Sequence, residues 1–265
     1  MGSLRAHLDA TVSCRLLVEP ARLRAGPLVV EGDAYGYLFR IRRLAVGETV
    51  VVFDGEGREA AARVAAVGPE RGTLDVDEPR AVAPARPRIT VLQALIKGDR
   101  MAWCLEKLVE AGVDEIVPCA TARTVVRLDD DRRASRHQRQ LAIVREAARQ
   151  CQRADLPRLH EATPLALALR AVTADRRLVA HPQAAAPLLT AVGGDPVDVA
   201  IVIGPEGGLD DDEVAAARAA GFTSISLGRT VLRAETAGPV AVAAIRLAHD
   251  AGLTLATASP VPFSE

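Results

Sequence analysis

Residues 203–213 read IGPEGGLDDDE and follow directly on the apolar run VDVAIV at 197–202. A buried strand that ends in three glycines, a proline and five carboxylates is an unusual junction. In open α/β sheets ligands sit beyond the carboxyl ends of the strands, and glycine there lets the backbone approach a ligand closely. A phosphate loop would carry a lysine followed by Ser or Thr, or the GxGxxG spacing, and neither is present. Glu206, Asp210, Asp211 and Asp212 would repel a polyphosphate, so a ligand with hydroxyls, an aromatic base and no phosphate fits better. Part of the acid needs no ligand. Asp210 with Glu213 three residues on matches a capping box, and carboxylates in a first helical turn complement the helix dipole. Gly204, Pro205, Glu206, Gly207 and Gly208 read equally well as a tight strand-to-helix turn or as a binding loop.

Around this junction, strands alternate with helices. ITVLQALI (89–96), EIVPCAT (115–121), RLVAH (177–181), VDVAIVIG (197–204) and SISLG (224–228) read as strands. DRMAWCLEKLVEAG (99–112), RRASRHQRQLAIVREAARQCQR (132–153), DDEVAAARAAG (211–221) and PVAVAAIRLAHDAG (239–252) read as helices, the first closed by Gly112. The alternation argues for an α/β domain with a parallel sheet. A second irregular polar loop, LGRTVLRAETAG, separates the last strand from the last helix; Thr236 or Gly238 is placed to cap that helix and Pro239 to open its first turn.

Upstream, RLLVE (15–19), PLVVEG (27–32), ETVVVFDGEG (48–57), EAAARVAAVG (59–68) and GTLDVDE (72–78) are short β-rich runs at close spacing, which suits a small β-barrel. PRAVAPARPR (79–88), with three prolines, reads as a linker. Within the barrel segment, AYGYLFRIRRLAVG (34–47) sets Arg40, Arg42 and Arg43 beside Tyr35, Tyr37 and Phe39. Guanidinium groups hold phosphates and rings stack on bases, so the stretch suits RNA; it also suits a solvated turn whose aromatics belong to the barrel core.

The 265 residues suggest two domains, and 49% hydrophobic content suggests a folded globular chain. No apolar stretch is long enough to cross a bilayer, and residues 1–13 lack the apolar core of a signal peptide, so a cytoplasmic protein is expected. The four cysteines, Cys14, Cys104, Cys119 and Cys151, form no CxxC pair, which argues against a zinc site and a disulfide framework. A net charge of −1 gives no bulk electrostatic sign of a nucleic-acid partner. Arg145, Arg149 and Arg153 recur every four residues and share a helix face, either as a phosphate-tracking stripe or as a solvated surface.

The pair IGPEGG and LGRTVLRAETA, in this order and separation, resembles the signature of the SPOUT methyltransferases. In detail the chain is similar to the bacterial family that methylates N3 of one uridine in small-subunit (16S) ribosomal RNA. RLLV, LAVGETVVVFDGEG, LIKGDRMAWCLEKLVEAGVDEIVP (95–118) and REAARQCQR (145–153) match as well, and the chain departs from the pattern at Tyr37, at IRR (41–43), in EKLVEAG, at Arg149 and at Gly238-Pro239. The resemblance implies a PUA-like β-barrel RNA-binding domain at 14–80, a linker at 81–88, and at 89–257 a SPOUT-type α/β methyltransferase domain with a parallel sheet and a deep trefoil knot, an exception to the rule of unknotted chains. It implies S-adenosylmethionine as cofactor, a homodimer, 16S ribosomal RNA or the small ribosomal subunit as partner, and neither a membrane nor a metal.

By the same resemblance the cofactor is held by His181, Gly204, Pro205, Glu206, Gly207, Gly208, Leu227, Gly228, Leu232, Ala234 and Thr236. Arg15, Arg40, Arg43, Gln150 and Arg153 are the implied RNA contacts. Uracil N3 lies on the Watson–Crick edge and carries a hydrogen, so the base must leave any pairing and its imide proton must be managed. Arg233 would stabilise the uracil oxygens or a phosphate, and Glu235 would accept the proton or hold the arginine; an ion pair that only organises the loop is the plainer role for both. A catalytically silent RNA-binding or assembly factor, and a methyltransferase acting on another RNA position, are the competing readings.

Overall fold

The computed structural model describes residues 14–124 and 130–253. Residues 1–13, read above for a leader, and 254–257, the end of the expected second domain, lie outside them. The chain forms two compact units. One comprises the described chain up to Pro84 together with Ala148–Leu156, and the other comprises Ala85–Ala147 and the chain from Pro157 onward.

In the first unit the strands are β1 (Arg15–Leu17), β2 (Gly26–Glu31), β3 (Thr49–Phe53), β4 (Arg58–Val67), β5 (Arg71–Val76) and β6 (Arg80–Ala81). They form one sheet in the order β1-β3-β4-β5-β2, with β6 paired to β4. β1 runs parallel to β3 and the other pairings are antiparallel. Strands β2 and β5 alternate between exposed and buried positions, as expected for a sheet with one face on a core. Leu16 of one edge strand and Leu28 and Val30 of the other join Val50, Val52, Val64 and Leu74 in a single core, so the sheet curls around it in the manner of a barrel. Within the segment 34–47, a turn of helix α1 (Gly32–Tyr35) runs into a π-helical turn, Gly36–Ile41, and Tyr35, Tyr37 and Phe39 pack on the barrel core. Phe39 of that turn lies across β5 so closely that a Cβ on Gly72 would come within 2.3 Å of its ring, which is why β5 carries a glycine there.

Residues 148–156 group with this unit for concrete reasons. The Leu156 N–H donates to the Gly55 carbonyl at 2.8 Å, Asp155 forms β-bridges to Gly55 and Glu56, and the Arg149 guanidinium lies 4.3 Å from the centre of the Tyr37 ring.

The second unit contains β7 (Arg88–Ala94), α2 (Asp99–Ala111), β8 (Glu115–Ala120), α3 (Asp130–Gln150, whose last turn belongs to the first unit), β9 (Arg158–Leu159), β10 (Thr163–Pro164), α4 (Leu165–Ala171), β11 (Arg176–Ala180), α5 (Leu188–Val192), β12 (Asp198–Ile203), α6 (Asp211–Ala219), β13 (Thr223–Ile225) and α7 (Ala234–Asp250). The strands form one parallel sheet in the order β10-β8-β7-β12-β11-β13, with β9 on β8. β7 and β12 are buried along almost their whole length, which explains their unbroken apolar sequence: both faces of a parallel sheet are covered. Helix α2 buries Met101, Cys104, Leu105, Leu108 and Val109 at helical spacing and ends at Gly112, left-handed at φ 96°.

Helix α7 packs on α2 and is tied down at its far end by Arg246, which is 8% exposed. Arg246 Nε and Nη2 donate to the Gly112 carbonyl at 2.9 and 2.8 Å, Nη1 donates to the Pro87 carbonyl at 2.6 Å, and Nη2 pairs with Asp114. Asp114 in turn accepts from the Ile89 N–H at 2.6 Å. The helix starts earlier than Thr236, Gly238 and Pro239 suggest. It begins at Ala234, five residues before Pro239, with Arg233 as its N-cap; Thr236 and Gly238 are inside it and cap nothing. The Thr236 and Ala237 N–H groups both bond to the Arg233 carbonyl at 2.9 Å, so the loop turns helical before the proline, and Glu235 falls in the first turn.

Candidate active site

The carboxyl ends of β11, β12 and β13 open onto one cleft of about 660 Å³, within the range of small-molecule sites. The loop after β11 contributes His181, the loop after β12 contributes Gly204 to Leu209, and the loop after β13 contributes Ser226 to Gly228 and Thr230 to Arg233. Ala234, Glu235 and Ala237 of α7 complete it.

Each loop owes its shape to its sequence. The Gly208 N–H bonds back to the Pro205 carbonyl at 2.9 Å, and Gly208 has φ +73°, a turn that glycine adopts without strain. A Cβ on Gly204 would lie 3.2 Å from the Leu209 side chain and backbone nitrogen. The capping box at the start of α6 is formed: the Glu213 N–H donates to Asp210 Oδ1 at 2.8 Å and the Asp210 N–H to Glu213 Oε2 at 3.0 Å. Glu213 has a second task that the sequence did not disclose, since its Oε1 accepts from the Ala122 N–H at 2.7 Å. In the β13 loop, Ser226 Oγ accepts from the Gly228 N–H at 3.2 Å and donates to the Gly228 carbonyl at 3.0 Å, holding Gly228 at φ +123°. His181 is turned into its own loop, its Nδ1 accepting from the Gln183 N–H at 3.3 Å.

Glu235 is the unusual side chain. It is 7% exposed, yet Oε2 is buried without a hydrogen-bond partner, and its contact with Arg233 Nη1 is a loose 3.9 Å. A buried carboxylate oxygen left unpaired is costly, so a donor from a bound ligand would be favoured there. Cys104 of α2 senses this charge: burial first, and then Glu235, push its thiol up to about 12. Burial pushes Cys119 up to about 12 as well, so neither thiol is a nucleophile at neutral pH.

All of the residues expected around a cofactor line this cleft except Thr236, and Arg233 and Glu235 line it too. Thr236 sits in a helix that starts earlier than expected, and the neighbours on either side of it, Glu235 and Ala237, are the ones that reach the cleft. Arg100 and Arg123 also line it and were not anticipated. The candidate RNA contacts scatter. Arg15 is 8% exposed and bonded to Glu59 at 2.7 Å, its guanidinium 5.1 Å from the Phe53 ring centre, so it is taken up by the fold. Burial would raise the Glu59 carboxyl, but bonds from Arg15 and Arg80 outweigh it and hold the group below the usual range. Arg153 pairs with Asp155 at 2.6 Å. Arg40, Arg43 and Gln150 are exposed. Of the three-arginine stripe on α3, Arg149 is stacked on Tyr37 and Arg153 is ion-paired, leaving Arg145 as its exposed member.

Among the described residues no group of three or more His, Cys, Asp or Glu could hold a metal ion, and no helix is long and apolar enough to cross a membrane. Four glycines, Gly204, Gly207, Gly208 and Gly228, leave the backbone open to close approach by a ligand along one side of the cleft.

A parallel α/β sheet with a glycine-built cleft at its strand ends, preceded by a curled, mostly antiparallel β module, defines a two-part protein with a small-molecule-sized site. A family model described as an RNA methyltransferase domain matches residues 84–246, and one described as an RNA methyltransferase PUA domain matches residues 30–77. The chain belongs to this RNA methyltransferase family. It is 36% identical over 224 residues to ribosomal RNA small subunit methyltransferase E of Mycobacterium bovis, covering 82% of this chain and 85% of the relative. The Bacillus subtilis protein of the same name is 28% identical over 225 residues, covering 82% and 88%. Among solved structures, ribosomal RNA small subunit methyltransferase E of Neisseria gonorrhoeae bound to S-adenosyl methionine superposes with a TM-score of 0.80 at 27% identity, covering 88% of this chain and 97% of that one. A Legionella pneumophila protein described as a methyltransferase, in complex with SAM, gives 0.75 at 29% identity, covering 89% and 96%. The resemblance drawn from IGPEGG and LGRTVLRAETA therefore holds at the level of the family.

Proposed function

We propose that this protein transfers a methyl group from S-adenosylmethionine to N3 of a uridine in small-subunit (16S) ribosomal RNA, in the cytoplasm. The observation that carries the reading is the buried, half-unpaired carboxylate of Glu235 beside Arg233 in the glycine-built cleft. Bound in the cleft, the cofactor would supply a methyl group activated by a sulfonium. The backbone of Gly204 to Gly208 and of Leu227 to Leu232 would hold it, with His181 and Ala234 at the walls; Thr236 drops out of that set because it does not line the cleft. Glu206 and Glu235 match its positive charge. Glu235 Oε2 accepts the uracil N3 proton, and the Arg233 guanidinium steadies the charge that spreads to the uracil oxygens.

Residues 14–81, joined by 148–156, serve as the RNA-binding module, 82–87 as the linker in place of the expected 81–88 because Ala81 pairs in β6 and Arg88 opens β7, and the rest of the described chain from Arg88 as the methyltransferase domain, with a trefoil knot in its backbone. Arg40, Arg43 and Gln150, all exposed, remain candidate contacts to RNA. A homodimer belongs to the same reading. It draws support from α7, where Val240 (41% exposed), Ala243, Ala244 and Leu247 (69%) share an apolar outer face, and Trp103 of the adjacent α2 is 44% exposed.

Titration calorimetry with S-adenosylmethionine tests the cofactor half of the proposal. The protein is expected to bind it, and Gly228→Ala to bind it about tenfold more weakly, because an L-residue is strained at φ +123°. Absence of binding to the unaltered protein would refute the reading.

A further inference from the structure

The mouth of the cleft carries three arginines from three separate segments: Arg100 in the first turn of α2, Arg123 in the loop after β8, and Arg233 before α7. Their charge is poorly compensated. Arg100 meets Glu206 at 3.2 Å, but both side chains are open to solvent, at 45% and 36% exposure, where such a pair contributes little. Arg123 donates to the carbonyl of Gly207 at 2.8 Å, a neutral partner. Arg233 is 79% exposed and 3.9 Å from its nearest carboxylate. Three guanidinium groups lining one opening, offset among the described residues by the solvent-open Glu206 and the loosely held Glu235, are stabilised when an anion arrives. A guanidinium fork matches the oxygens of a phosphate.

Resting on the methyltransferase reading, we propose that Arg100 and Arg123 bind the backbone phosphates that flank the target nucleotide. A base that enters the cleft alone draws its two neighbouring phosphates to the mouth, where this rim stands. Arg123 then has two partners at once. It holds the glycine loop through Gly207 and the RNA strand through phosphate, so that strand and cofactor loop are located by one side chain.

The test compares Arg100→Gln, Arg123→Gln and the double variant with the unaltered protein, using fluorescence anisotropy with a labelled small-subunit ribosomal RNA transcript across a salt series. Calorimetry with S-adenosylmethionine, without RNA, runs alongside. The double variant is expected to bind RNA at least tenfold more weakly, with the slope of log affinity against log salt shallower by about 0.7 for each arginine lost; Arg100→Gln is expected to bind the cofactor within about twofold of normal, and Arg123→Gln, which also gives up the Gly207 carbonyl, to lose clearly less cofactor affinity than RNA affinity. Lysine at either position should restore the slope. Unchanged RNA affinity and slope would overturn the proposal. So would an equal loss of cofactor and RNA affinity without a change in slope, which would make the arginines braces of the loop. If the unaltered protein binds RNA but transfers no methyl group, the methyltransferase reading fails by itself, and the anisotropy still decides the phosphate contacts.

Discussion

Replacing Arg233 with alanine is expected to lower the methyl-transfer rate by about 10²–10³, the usual loss when one preorganised charge stabiliser is removed, while cofactor affinity stays within about twofold. The separation of the two effects follows from position. Arg233 is the N-cap of α7 but makes no side-chain cap bond, and with a side chain 79% exposed it packs on little. Its removal should therefore cost the fold no more than an ordinary surface change, about 0.5 kcal/mol. What it does lose is the one cation within 4 Å of the Glu235 carboxylate among the described residues. Arg233→Lys keeps the charge but not the planar fork and should fall between the two. Single-turnover rates with saturating cofactor, read beside calorimetric affinities, check this; full activity in Arg233→Ala would remove the residue from the mechanism.

The largest effect on stability is expected at a residue outside the cleft. Arg246→Ala removes three hydrogen bonds to the Gly112 and Pro87 carbonyls and the ion pair with Asp114, all at a side chain only 10% exposed. Asp114 keeps its bond from the Ile89 N–H, but removing one partner of a largely buried ion pair is costly. A loss of about 3–5 kcal/mol in chemical denaturation is expected. Val240→Ala, on the exposed side of the same helix, should stay within about 1 kcal/mol. A loss below about 1 kcal/mol for Arg246→Ala would mean that the C-terminal helix is held by its apolar face alone. The result bears on function, because the helix that Arg246 anchors at one end carries Glu235 at the other.

The order of β and α elements was legible because buried parallel strands such as β7 and β12 write themselves as unbroken apolar runs, and because Gly112 and the Asp210–Glu213 pair mark helix ends by local chemistry. The start of α7 was not legible. Pro239 is a common first-turn residue, and nothing local shows that the chain is already helical from Ala234. The short helices α4 and α5 went unread, being too brief to display a period. The cleft was legible where glycines and special loops concentrate, at 204–208 and 227–235. Arg100 and Arg123 were not, since a lone arginine carries no pattern, and it is the ordering of β8, β7, β12 and β11 that gathers their loops. Arg15 misled for the converse reason: its partner Glu59 is 44 residues away, and only the pairing of β1, β3 and β4 brings the two together.

The central claim, that the cleft of β11, β12 and β13 delivers a methyl group from S-adenosylmethionine to a uracil nitrogen, has one direct measurement. Small subunits from cells lacking this protein are incubated with the purified protein and isotopically labelled cofactor, and the ribosomal RNA is digested to nucleosides and analysed by mass spectrometry. The account predicts label in N3-methyluridine, approaching one methyl group per subunit and lost with Glu235→Gln. Label confined to another nucleoside, or no label in RNA from a protein that binds the cofactor, would contradict it.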